Sequence, residues 1–179
     1  MWLLALLALT PEGLPEGSIA IERAPVPDLA QLPFGEGLPP VMDSGALQSM
    51  VEAEAILLAV SELEPTTDSK ESREQAMYVT EECERALVLL GGAARDPALR
   101  VPSLARSGDA SRLVLQAIQR VRPSPSLPVE DLDAFHAQLA EAAAPVAQDA
   151  RTAYERVLGD LMAAAVWKAH ARWGLEELE

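Results

Sequence analysis

Cysteine, histidine, lysine and aromatic side chains are all scarce in this chain of 179 residues. The one cysteine, Cys83, cannot close an intramolecular disulfide, a CxxC redox pair or a cysteine-based zinc site. Two histidines, His136 and His170, exclude a His-rich metal site, and no DxDxDG loop supplies spaced oxygen ligands. The strings GxSxG, GxGxxG and HExxH and the Walker loop do not occur. ExxH is missing as well, and with it the signature of di-iron carboxylate bundles. Basic side chains number 14 against 28 acids, a formal net charge of −14. That balance excludes a surface built for phosphate backbones and disfavours docking on anionic lipid.

What the chain has in quantity is alanine and leucine. Apolar residues make up 49% of it and aromatics only 4%. Ala and Leu favour helices, whereas strands draw on β-branched and aromatic residues. The composition predicts an all-α protein, and the length suits a single domain with an attached tail. No 34-residue period joins the helical segments into a repeat array.

The N-terminal third is a different material. Trp2 to Leu9 form an apolar run the length of a signal-peptide core and too short to span a bilayer. Ser18 and Ala20 would suit a cleavage site, but no basic n-region precedes the run. Export to the periplasm or medium is the expectation for residues 1–20. The alternative is a cytoplasmic protein whose first apolar element this is. Residues 21–43 read as an extended, proline-rich acidic arm. The stretch from Thr10 to Asp43 holds seven prolines and Arg23 as its lone base, a pattern that blocks helices and favours extended backbone. Phe34 is its aromatic anchor, available to a groove of this protein or of a partner.

Residues 44–179 are expected to form a bundle of about five helices. The first spans Ala46 to Leu63, capped by Ser44 and stopped by Pro65. Met50, Ala53, Leu57 and Val60 form its buried stripe, widened by Leu47, Val51 and Ile56. The second runs from Ser69 to Leu90, opened by Asp68 with Glu71 and stopped by Gly91-Gly92. It places Cys83 on the core stripe. Ala93 to Arg106 reads as irregular, and Asp109 as the cap of a helix from Ala110 to Val121. After the loop Pro123 to Pro128, helix resumes at Val129 and reaches about Leu175, broken or bent at Pro145, with Gly174 as a stop. The first two helices should pair as an antiparallel hairpin.

Two groups of residues stand out as candidate sites. Arg95, Arg100, Arg106, Arg112, Arg120 and Arg122 concentrate positive charge within 28 residues opposed by Asp96 and Asp109 alone. They point to an acidic partner or to internal pairing with the acidic helices. Trp167, His170 and Trp173 gather bulk and one imidazole near the end of the chain, the place where a small hydrophobic ligand or cofactor would sit. Cys83 has no neighbouring base to activate it and reads as a core residue.

No constellation of catalytic residues emerges, and no cofactor or metal is called for. The expected function is non-enzymatic: a helical interaction or scaffold protein working within a protein assembly. It has protein partners, no nucleic acid and no integral membrane span, and self-association is open to it. The alternative is a helical bundle that binds a small hydrophobic ligand.

Overall fold

A computed structural model describes residues 43–179. The segments assigned above to 1–20 and 21–42, Phe34 among them, lie outside the described residues. The described part is all helical, with five α-helices: α1 (Ser44–Ser61), α2 (Ser69–Ala93), α3 (Arg100–Gln119), α4 (Leu132–Gly159) and α5 (Ala165–Glu176). A single 3-10 turn, Val129–Asp131, leads into α4.

The start of α1 is set by Asp43, one residue before the expected Ser44. Its carboxylate accepts from the backbone N–H groups of Gly45 and Ala46. Asp68 does the same for α2 through Lys70 and Glu71. The two helices form the expected antiparallel hairpin. Ser49, early in α1, lies against Gly92, late in α2, and the Asp43 N–H reaches the Asp96 carboxylate beyond α2. Met50, Ala53, Leu57 and Val60 are buried as their spacing predicts, and so is Ile56. Leu47 and Val51 are not. They were expected to widen the buried stripe, but they point to solvent.

Several helix boundaries differ from those read off the sequence, and the reasons are tertiary. The pair Gly91-Gly92 does not stop α2, which continues to Ala93. Gly92 is used as a close-packing position against Ser49 instead of as a cap. The third helix begins at Arg100, well before Ala110. Pro102 falls in its first turn, where the missing amide donor would have had no helical acceptor. Asp109 is therefore not a cap but a mid-helix residue. Pro145 neither splits nor ends α4, which runs unbroken past it. The proline is exposed, so the carbonyl it leaves without a donor can be satisfied by water. The last stretch divides at Asp160–Ala164, and Gly174 is inside α5 instead of at its end.

Helix α3 is the axis of the bundle and touches each of the other four helices. The α1–α2 hairpin packs on it together with the first half of α4 to form the larger apolar cluster, around Met50, Leu57, Leu90, Val114 and Ile118. The smaller cluster joins Val101 and Ala105 of α3 to Tyr154, Val157 and Trp167. Between the α3 residues feeding these two clusters lies its polar stretch, Arg106 to Arg112.

Tyr154 is the largest side chain in the smaller cluster and is fully buried. Its ring lies between two glycines. A Cβ on Gly108 would fall 2.5 Å from the ring, and one on Gly174 still closer. The chain therefore needs two residues without side chains, on α3 and α5, to seat one ring from α4. Gly108→Ala and Gly174→Ala should each destabilise the fold by about 1–3 kcal/mol through overpacking. Gly91→Ala, whose Cβ meets nothing within 4 Å, should instead stabilise it by about 0.5–1 kcal/mol. Urea unfolding of the three variants checks both signs.

Candidate functional site

Asp109 is the centre of a buried ionic cluster. Its carboxylate is 0% exposed. A carboxylate in that position must be paired and hydrogen-bonded on both oxygens or be protonated. Arg106, one turn earlier on α3, donates from Nη1 to Oδ2 at 2.9 Å. The Tyr154 hydroxyl, from α4, donates to Oδ1 at 2.8 Å. His170, from α5, places Nε2 at 3.0 Å from both oxygens. Because the carboxylate can only accept, that ring nitrogen carries the proton. Arg112 adds a second guanidinium 4.0 Å from Oδ1, too far for a hydrogen bond. Its Nε and Nη2 find no acceptor, and the guanidinium lies 4.6 Å from the centre of the Trp173 ring instead. A cation over an aromatic face recovers part of what desolvation takes from it.

The cluster reaches α1 through Arg106, whose Nε donates to Glu54 Oε1 at 2.8 Å. Arg106 is itself 0% exposed. Four of the five helices thus contribute side chains to one connected set of charges.

The electrostatics follow from this geometry. Burial alone would push the Asp109 pKa up. The hydrogen bond and charge of His170, then the charges of Arg106 and Arg112, outweigh it and hold the carboxyl at about 2. Glu54 goes the other way. Burial raises it to about 7, against the pull of Arg106's charge and hydrogen bond and with a push from Asp109. Burial and the Asp109 charge raise the Tyr154 hydroxyl far above its ordinary range, so it acts as a neutral donor. The Cys83 thiol, in the other cluster, is pushed up to about 12 by burial and then by Glu82. It is a protonated core residue and not a nucleophile.

The two candidate groups taken from the sequence meet here. Arg106 and Arg112 from the arginine-rich segment converge with His170 and Trp173, while Trp167 lies edge-on to His170 at 6.2 Å. The other arginines go elsewhere. Arg100 pairs with Asp160 at the bundle end. Arg95 is exposed. Arg120 is the C-terminal cap residue of α3, and the backbone N–H of Arg122 donates to Ser72 Oγ. His136 is exposed and borders a groove far along α4 from His170. Sequence reasoning missed three members of the cluster. Asp109 was assigned to a cap, Tyr154 to a helix stripe and Glu54 to no role. The available signal was that Arg106, Asp109 and Arg112 share one helical face at spacings of three.

Two surface features complete the picture. A groove of about 440 Å³ opens between α3 and α4, lined by Leu115, Ile118, Leu139, Ala143, Ala147 and Leu178 among others. It is separate from the tryptophans expected to hold a ligand. The second feature is the outer face of α1, where Leu47 is 43%, Val51 60% and Leu58 55% exposed. Among the described residues there is no group of three or more His, Cys, Asp or Glu side chains placed to hold a metal. No described helix is long and apolar enough to cross a membrane. No family model matches the chain, and no curated protein or solved structure matches it.

The two displaced carboxylates give stability opposite slopes with pH. Asp109 titrates at about 2 when folded against its ordinary 3.8. In that window the unfolded chain holds the extra proton, so stability is lost as pH falls through it. Glu54 titrates at about 7 against 4.5. There the folded chain holds the extra proton, so stability is lost as pH rises from 4.5 to 7. Urea unfolding across this range should show Glu54→Gln removing part of the second decline and leaving the acid limb in place. Asp109→Asn leaves Arg106 and Arg112 buried without their counter-charge. The same measurement should show it destabilising by about 3–5 kcal/mol.

Proposed function

We propose that the protein is a non-enzymatic helical interaction or scaffold protein that works within a protein assembly and docks through the outer face of α1. One observation carries this reading: the chain's polarity is inverted between its central and its peripheral helix. The central α3 buries Arg106, Asp109 and Arg112. The peripheral α1 packs chiefly on α2 and holds Leu47, Val51 and Leu58 out in water. A helix that is apolar all round belongs in an interior. Exposed large apolar side chains aligned on one helix face are the mark of an interaction surface.

The buried cluster supports the same reading. Asp109 and His170 resemble the carboxylate–imidazole half of a hydrolytic triad, but both are enclosed and the hydrogen-bond partner of His170 is Asp109 itself. What these groups do in the fold is join helices. Val51→Glu with Leu58→Glu should leave helical content and unfolding unchanged to within about 0.5 kcal/mol, since both positions are on the surface. The same pair should abolish co-purification of partner proteins from native extract. Co-purification equal to wild type would defeat the reading.

The groove between α3 and α4 favours a second reading, a binder of a small hydrophobic ligand, because its volume and apolar lining suit one. In that case Ala143→Trp, which fills the groove, should remove the binding of an apolar fluorescent dye that wild type shows.

A further inference from the structure

The outer face of α1 also specifies the chemistry of what docks on it; this step rests on the reading of that face as an interface. From Asp43 to Ser69 the chain carries Asp43, Glu52, Glu54, Glu62, Glu64 and Asp68, and no Lys, Arg or His. At 3.6 residues per turn, Leu47, Leu58 and Val51 fall within an arc of about 40° on α1. Ala55 and Ala59, both exposed, extend the arc to about 120°. Glu52 borders it on the solvent side, held by a 2.8 Å hydrogen bond from Gln48. Glu62 stands at its C-terminal end as the helix cap. On the opposite border Glu54 turns inward to Arg106. The face is an apolar ridge with acidic borders, with no base of its own helix beside it.

We infer that the occupant is an amphipathic helix of a partner protein whose apolar ridge is bordered by lysines or arginines. Such a helix lays its apolar side chains between Leu47, Val51 and Leu58 and brings its cations to Glu52 and Glu62. A second copy of this chain fits less well. Pairing α1 antiparallel with itself, Leu47 against Leu58, brings the two Glu52 side chains to the crossing point with no base on either helix. Like charges so placed oppose association. The net charge of −14 further steers a basic partner and repels a second copy.

Two synthetic helical peptides test this, matched in length to α1 and sharing one leucine ridge, bordered in one by lysines and in the other by glutamates. Binding to the whole protein is read by fluorescence anisotropy. The lysine peptide should bind wild type, weaken as salt is raised, and lose roughly tenfold or more in affinity for the Val51→Glu, Leu58→Glu protein. That variant carries two additional negative charges, so attraction to charge alone would tighten binding. Glu52→Lys with Glu62→Lys should transfer preference to the glutamate peptide. Equal binding of both peptides, or of neither, overturns the basic occupant. Sedimentation showing a wild-type dimer that the Val51→Glu, Leu58→Glu protein does not form also overturns it, while keeping α1 as an interface. Undiminished binding of the lysine peptide to that variant overturns both the occupant and the interface.

Discussion

The structure depends on keeping one carboxylate ionised where no water reaches it. A buried anion costs several kcal/mol unless charge and hydrogen bonds replace its hydration. Asp109 meets that demand with an arginine and a distant second cation from its own helix, a phenol from α4 and an imidazole from α5. These donors have directions, so satisfying them fixes the rotation of each helix about its axis. Apolar packing between Ala-rich surfaces, with small and similar side chains, would leave such rotations weakly specified. The cluster is therefore best understood as a device for a single arrangement of helices, with its net contribution to stability secondary.

The same constraint explains which parts of the fold were legible in the sequence. The cores of α1 and α2 were, because Met50, Ala53, Leu57 and Val60, and Ala76, Thr80, Cys83 and Leu90, repeat at helical spacing and are buried. Their neighbour α3 was not. Its first half reads RVPSLARSGD, which local rules render as irregular chain ending in an N-cap. Serine, glycine, proline and aspartate are poor helix formers in isolation, and only partners distant in sequence make them good ones here. Gly108 serves the Tyr154 ring, Asp109 serves His170, and Pro102 falls in the one turn that tolerates it.

The outer face of α1 was hidden for the opposite reason. Leu47, Val51 and Ile56 all fit a widened apolar stripe, and periodicity cannot say how wide a stripe the neighbouring helices will cover. The structure divides them, burying Ile56 and exposing the other two. The concentration of positive charge between Arg95 and Arg122 was visible from the sequence. Its division into buried cations at Arg106 and Arg112 and an end-of-bundle pair at Arg100 was not, since it depends on Glu54 and Asp160 coming from elements far away in the chain.

The position of His170 and Gly174 on the final helix has a consequence for biosynthesis. The two residues complete arrangements begun by α3 and α4, and both lie within the last ten residues of the 179-residue chain. Until α5 docks, Asp109 lacks the imidazole at both its oxygens, Arg112 lacks the Trp173 ring that covers it, and one side of Tyr154 is bare. A chain interrupted before α5 therefore keeps a large share of its apolar clusters but not a satisfied centre. The last helix acts as proofreading of length: an incomplete product is held open for degradation, and a complete one closes around its own buried charge.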